Sequence, residues 1–382
     1  MNFRVLCNCD KTKARNGWLK TAHLTFETPV FMPVGTSGNV KAILQKDLEV
    51  MKASIILGNT YHLYLRPGLD ILQAAGGLHK FMFWNNAILT DSGGFQIFSL
   101  APLRKVSDEG VEFSSHIDGS LHMFTPEKVV DIQRIIGSDI IMCLDECIPY
   151  PVEKSDAEKS VKRTLDWERK CFEHFNSKEE LYDYSQLIFS ISQGSVFKDL
   201  RKKCIEELQR YDFDGNAIGG LAVGEEKELM YEITDFSTDL LDWKKPRYLM
   251  GVGTPADILE CVERGVDMFD CVLPTRNARH GRLYTTYGEI NLRAAKYKNE
   301  FNSPDEECST YTSDNYSLAY LRHLFIANEI LGQQLATIHN LGFYLKLMED
   351  IRTSIKEKRF PEFKKNFTEK YNTIKNSEEQ TD

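Results

Sequence analysis

Eight short apolar runs, most of them separated by helical patterning, constrain this chain more than any other feature. They are Phe31-Met32-Pro33-Val34, Ser54-Ile55-Ile56-Leu57-Gly58, Ala87-Ile88-Leu89-Thr90 and Asp139-Ile140-Ile141-Met142-Cys143-Leu144. Then come Leu187-Ile188-Phe189-Ser190-Ile191, Asn216-Ala217-Ile218-Gly219, Arg247-Tyr248-Leu249-Met250 and Asp267-Met268-Phe269-Asp270-Cys271-Val272. Near-continuous apolar strands alternating with amphipathic helices belong in a parallel sheet buried on both faces. Eight such units predict an α/β fold, a modified (β/α)8 TIM barrel. An open doubly wound sheet is the alternative; the missing Gly-x-Gly-x-x-Gly turn counts against its dinucleotide-binding form.

The 382 residues leave room for additions to a barrel of roughly 250. Residues 1–28 read as an N-terminal β-hairpin region and 29–294 as the barrel. Within the barrel, 109–124 read as a hairpin insertion after the third strand, turning at Asp118-Gly119. Residues 295–360 read as a helical subdomain, with Leu321, Leu324, Ile326, Ile330 and Leu331 near helical spacing. Residues 361–382 read as a charged, frayed C-terminal tail. Thr125-Pro126-Glu127 and Thr254-Pro255-Ala256-Asp257 predict helix starts: a capping hydroxyl, Pro at the first position, then an acid.

Hydrophobic residues make up 42% and charged residues 27%, which excludes a disordered tail protein and a fibre. No run of about 18 apolar residues is present, so no membrane partner is expected. The opening Met1-Asn2-Phe3-Arg4-Val5 has no signal-peptide pattern, and a cytoplasmic protein is expected. Nine scattered cysteines do not form a disulfide framework, and Cys7-x-Cys9 reads as two small apolar residues on a strand. The net charge of −9 argues against a dedicated nucleic-acid binder. A local strip runs the other way: Arg276, Arg279, Arg282, Arg293, Lys296 and Lys298 face only Glu289 between residues 276 and 298. The strip fits either a localised anionic partner or a solvated face.

In such a barrel the active site lies at the C-terminal ends of the strands. The third strand ends in Asp91-Ser92-Gly93-Gly94-Phe95-Gln96 and the fourth in Asp145-Glu146-Cys147. The fifth ends in Gln193-Gly194-Ser195, the sixth in Gly219-Gly220-Leu221-Ala222-Val223-Gly224-Glu225, and the seventh in Met250-Gly251-Val252-Gly253. Asp270 lies on the eighth, before Pro274-Thr275-Arg276. One such aspartate is commonly a helix cap; three at equivalent strand ends point to a site. Paired carboxylates suit displacement at a sugar carbon. A carboxylate and a glutamine beside exposed amides suit reading a purine edge. No metal-binding HxH or HExxH and no P-loop occurs.

These motifs resemble those of the bacterial tRNA-guanine transglycosylases. The matching stretches are Thr28-Pro29-Val30-Phe31-Met32-Pro33-Val34-Gly35-Thr36, Gly58-Asn59-Thr60-Tyr61-His62-Leu63 and Leu89 to Gln96. They continue with Gly219 to Glu225, Tyr248 to Gly253 and Phe269 to Arg276, in matching order from about residue 3 to about 360. The resemblance implies exchange of guanine at wobble position 34 for a 7-deazaguanine, on tRNAs with a GUN anticodon (Asp, Asn, His, Tyr). It makes Asp270 the nucleophile and Asp91 the acid/base. It assigns base binding to Ser92, Gly93, Gly94, Phe95, Asp145, Gln193, Gly220, Leu221, Glu225 and Met250. It assigns RNA contact to Gly251-Val252-Gly253-Thr254-Pro255-Ala256-Asp257 and Thr275-Arg276-Asn277-Ala278-Arg279. Val223 in the bacterial-type Leu221-Ala222-Val223-Gly224 implies the small base preQ1; the alternative is bulky queuine.

The family holds a structural zinc through CxCxxC and a later His. Here Cys308 and His339 remain, but Thr310 and Ser313 replace the other two cysteines. Neutral hydroxyls are poor zinc ligands, so the zinc is expected to be lost; no catalytic cofactor is implied. The family also implies a homodimer, with Phe81, Tyr316, Tyr320 and His323 at matching contact positions. Two other classes are weighed. A non-catalytic tRNA-binding partner subunit has no need of both Asp91 and Asp270. A glycosidase acting on free sugars has no need of the basic strip or the purine-reading set.

Overall fold

The computed structural model describes residues 2–100 and 104–374. All eight apolar runs form strands: Val30–Gly35, Ile55–Gly58, Ala87–Thr90, Ile140–Met142, Leu187–Ser192, Gly215–Ile218, Arg247–Leu249 and Met268–Cys271. They pair in parallel and in chain order, and the eighth closes on the first through Phe269 opposite Phe31.

Alternation along these runs shows why they close. Met32, Val34, Ile55, Leu57, Leu89, Ile140 and Phe189 pack inside the barrel. Their neighbours Ile56, Ile88, Ile141 and Ile188 face the helices outside, as do Phe31 and Phe269 elsewhere on the rim. Both faces are dry, so both alternations must be apolar. The two sequence-predicted caps are present: Thr125 accepts from the Lys128 N–H at 3.2 Å and Thr254 from the Asp257 N–H at 3.2 Å.

The additions are more elaborate than hairpins. The N-terminal region is a three-stranded antiparallel sheet (Phe3–Asn8, Arg15–Lys20, Thr25–Thr28). Its Phe3, Leu19 and Phe26 join the interior cluster and plug the lower end of the barrel. Buried Arg15 ties the sheet to the barrel, donating from Nε and Nη2 to Asp267 at 2.9 and 2.5 Å. His23 adds a second tie, its backbone N–H reaching Asp139 at 2.9 Å. The insertion likewise has three strands, Arg104–Val106, Val111–Ser114 and Leu121–Phe124.

The eighth strand is followed by a short helix, Leu273–Arg279, and a hairpin, Arg282–Thr285 with Gly288–Asn291. The outer wall is completed by the long helix Ile330–Lys356, whose Tyr344, Leu347 and Ile351 pack with Phe31 and Phe269. The expected helical spacing at 321–331 is shared by two helices. Leu318–Ile326 ends at Ala327, Asn328 takes φ +58°, and the long helix begins at Ile330. Leu321 and Leu324 are therefore buried while Ile326 and Ile330 are exposed. The expected frayed tail is a helix over Phe360–Tyr371, anchored by Phe360, Phe363 and Phe367. Its charges mask that apolar stripe in composition alone. Residues 375–382 of the expected tail lie outside the described residues.

All nine cysteines are free, with Cys7 on the first strand of the N-terminal sheet and Cys9 just after it. Among the described residues no helix is long and apolar enough to cross a membrane.

Candidate active site

At the C-terminal ends of the strands is a cavity of about 370 Å³ whose wall carries Asp91, Asp145 and Asp270. Each carboxylate has a different neighbourhood. Asp91 is buried and held by the loop after the second strand: Asn59 Nδ2 donates to Oδ2 at 2.5 Å and the Thr60 N–H to Oδ1 at 2.9 Å. Burial pushes its carboxyl up to about 7; the charges of Asp270 and Asp145 add to the rise, and N–H groups of Thr60 and Gly93 oppose it.

Asp270 receives the Tyr248 hydroxyl at 2.5 Å and the Gly251 N–H at 2.8 Å, both on Oδ1. Among the described residues no hydrogen bond occupies its Oδ2. Burial raises its carboxyl, while those two donors favour the charged form. Both donors fall on one oxygen, which fixes the carboxylate and leaves the other oxygen without a donor.

Asp145 is bound on both oxygens. Ser92 Oγ donates to its Oδ1 at 3.1 Å and Gln193 Nε2 to its Oδ2 at 2.7 Å. Burial brings its carboxyl to about 6, against the pull of those donors. The glycines are needed for space. A Cβ on Gly219 would stand 2.7 Å from Gln193 Nε2, one on Gly220 2.2 Å from Gln193 Oε1, and one on Gly94 2.9 Å from the Asp145 carbonyl. Gly220 also takes φ +64°. Phe95, half-exposed, and Met250 line the same cavity and offer apolar surface.

Beyond the sixth strand, Glu225 accepts the N–H groups of Ala222 and Val223 at 2.5 and 3.0 Å. Leu221, Ala222 and Val223 line the cavity, whereas Glu225 lies behind them. Gly93 is beside Asp91 at φ +79°.

The two segments implied to touch RNA are mixed. Gly251, Ala256 and Arg276 are exposed, and Thr254, Asn277 and Arg279 are half-buried. Val252, Gly253, Pro255, Asp257, Thr275 and Ala278 are buried, and they build the fold. Asp257 accepts from Lys227, Tyr231 and Thr254, and Gly253 O accepts from the Tyr344 hydroxyl at 2.6 Å. The basic strip is also divided. Arg293 donates to Phe325 O at 3.0 Å, and Arg282 approaches Glu289 at 3.9 Å.

The residues at the family's zinc positions meet, but as a hydrogen-bond cluster. Thr310 and Ser313 form a capping box on the helix Tyr311–Asn315. Ser313 Oγ donates to Cys308 O at 2.6 Å. Buried His339 contacts Tyr284 O at 2.8 Å through Nε2, so that nitrogen carries the proton. Its Nδ1 then accepts from Thr310 Oγ1 at 3.2 Å. One thiol, one imidazole and two committed hydroxyls do not fit tetrahedral zinc.

Sequence reasoning missed the residues that orient the carboxylates. Asn59 and Thr60 directly follow the second strand, and Tyr248 is the one hydroxyl in an apolar strand. A polar group in such a position is the available signal.

Comparison with known proteins gives the family. The family model described as Queuine tRNA-ribosyltransferase matches residues 9–373. The chain belongs to this family. It is 57% identical over 371 residues to the queuine tRNA-ribosyltransferase of Caldanaerobacter subterraneus, covering 97% of this chain and 98% of the relative. It is 56% identical over 368 residues to that of Aquifex aeolicus, covering 94% and 96%. This family member is a pentosyltransferase.

Proposed function

We propose that this pentosyltransferase exchanges guanine at wobble position 34 of GUN-anticodon tRNAs for the 7-deazaguanine preQ1. The observation that carries this reading is one cavity in which Asp270 with a free oxygen faces a purine-reading edge. Family membership supports the coarser activity, ribosyl transfer on tRNA.

The target base leaves its stack, which is easy in an anticodon loop. Asp270 Oδ2 attacks ribose C1′; the C1′–N9 bond breaks and an enzyme–ribosyl ester forms. Asp91, with its carboxyl near 7, gives the leaving base a proton. The incoming base returns a proton to Asp91, attacks C1′ and releases Asp270. Tyr248 and Gly251 stabilise the departing carboxylate. Asp145 accepts the N–H groups of the purine, and the amides at Gln193 and Gly220 supply donors to its oxygen. Phe95 and Met250 cover the ring.

The substrate argument rests on Leu221. Because the Ala222 N–H points to Glu225, the Leu221 carbonyl of that trans peptide points the other way, toward an aminomethyl ammonium. Val223 narrows the cavity against queuine. Exposed Arg276 and half-buried Arg279 lie just beyond Asp270 and suit the flanking nucleotides. We also read the protein as a cytoplasmic homodimer through Phe81 and Tyr320, both partly exposed, and as a protein that holds the region of Cys308 and His339 without zinc.

Labelled guanine supplied with a GUN-anticodon tRNA tests the exchange. Wild type incorporates label and Asp270→Ala does not; no incorporation by folded wild type overturns the reading. Competition of preQ1 against queuine decides the base. Sedimentation gives the oligomeric state. Stoichiometric zinc surviving mild chelation would sink the zinc-free reading.

A further inference from the structure

We propose that Arg201 is a positioning residue for base recognition, holding the peptides after the fifth and sixth strands so that their N–H groups face the base. This rests on the base-exchange reading above. Arg201 lies on the helix Lys198–Leu208 and is fully buried. Its Nε donates to Ser195 O at 2.9 Å and its Nη1 to Ser192 O at 2.9 Å. Its Nη2 donates to Gly219 O at 2.7 Å and Gly220 O at 3.3 Å. Among the described residues it has no carboxylate ion pair; four carbonyls from two strand ends carry its charge. A buried cation so bonded fixes backbone rather than a partner side chain.

The consequence is directional. In a trans peptide the C=O and the following N–H point opposite ways. With the carbonyls of Gly219 and Gly220 turned to Arg201, the N–H groups of Gly220 and Leu221 turn from it. The Gly220 N–H is on the side of the Cys147 thiol, which lines the cavity. The same guanidinium brackets Gln193, because Ser192 and Ser195 flank it.

Strain supports the role. Ser195 is a non-glycine residue at φ +49°, and its carbonyl is one that Arg201 holds. Gly194 is required beside it, since a Cβ there would be 2.8 Å from the Arg201 backbone nitrogen. Arg201 on the buried face with Leu200, Cys204, Ile205 and Leu208 is otherwise unexplained on an apolar helix side.

Without Arg201 the Gly219–Gly220 peptide can turn its carbonyl into the cavity and so accept where it had donated. That inverts the preference between guanine, with an oxygen at that edge, and 2,6-diaminopurine, with an amino group there. The test measures the KM for guanine and the inhibition constant of 2,6-diaminopurine in the exchange assay, for wild type, Arg201→Met and Arg201→Lys. Preference for guanine is expected to fall roughly 10- to 100-fold in Arg201→Met, and less in Arg201→Lys, while the KM for tRNA stays within about twofold. If Arg201→Met does not fold, Arg201→Lys decides by the same ratio. An unchanged ratio in the folded variants, or equal losses for tRNA and base, overturns the inference. A folded wild type without exchange overturns the function itself, and this inference with it.

Discussion

Three carboxylates in one cavity differ because their donors differ. Asp270 keeps one oxygen free, Asp145 has both bound by side-chain donors, and burial raises Asp91 to about 7. Replacing Asp270 by Ala is expected to lower exchange at least about 1,000-fold with the fold intact, read by kcat and circular dichroism. Asp91 makes a stability prediction. Its carboxyl rises from 3.8 to about 7 on folding, so the folded state binds the proton more tightly. Its contribution is fully present below about pH 4 and is lost as pH rises through 7. Asp91→Asn removes that loss, so the variant is expected to gain about 1–3 kcal/mol over wild type at pH 8 and less at pH 5. Denaturant titration at the two pH values checks this; an equal gain at both contradicts the buried-charge account. These aspartates were legible in the sequence as strand-end acids. Their partners Asn59, Thr60 and Tyr248 were not, because a hydrogen bond between strand ends leaves no spacing signature.

At the scale of elements, the loops after the strands line the cavity and caps carry the local stability. Gly220→Ala is expected to raise the KM for guanine roughly 10- to 100-fold, since its Cβ would displace Gln193 and the backbone would be strained at φ +64°. A KM unchanged from wild type contradicts that packing. In the cluster at the family's zinc positions, Thr310→Val removes both a helix cap and the hydrogen bond to His339. About 1–2 kcal/mol of local stability should be lost, seen as faster amide exchange across residues 310–316, with no response to chelator. Strands and capped helices were legible because their signals are local: continuous apolar runs, and Thr-Pro pairs at helix starts. The first strand of the insertion was not: Arg104–Val106 precedes the expected 109–124 and is short and largely exposed. The strand at Cys7 was expected, but not that three strands pair there, with a bulge between Val5 and Cys7.

For the whole molecule, the barrel depends on what closes its ends and its seam. The N-terminal sheet plugs the bottom and is fastened by the buried Arg15–Asp267 pair. Breaking one partner of such a pair leaves a buried charge, so Arg15→Met is expected to cost about 3–5 kcal/mol in denaturant unfolding, with KM values unchanged in whatever remains folded. A cost below about 1 kcal/mol would show that the sheet is not held this way. The seam is closed by Ile330–Lys356, some 60 residues beyond the last strand, doing what a helix directly after that strand does elsewhere. The pairing of Phe269 opposite Phe31 closes the barrel where an open sheet was the alternative; the sequence by itself determined the eight apolar runs that build it. It also determined which strand ends bear acids. Only the tertiary structure decided which oxygen of Asp270 stays free and that Arg201 gathers four carbonyls from two strand ends. It alone showed that half of the two loop segments is buried support. Those outcomes depend on directions between residues far apart in the chain, and direction is a property of the packed backbone rather than of residue order.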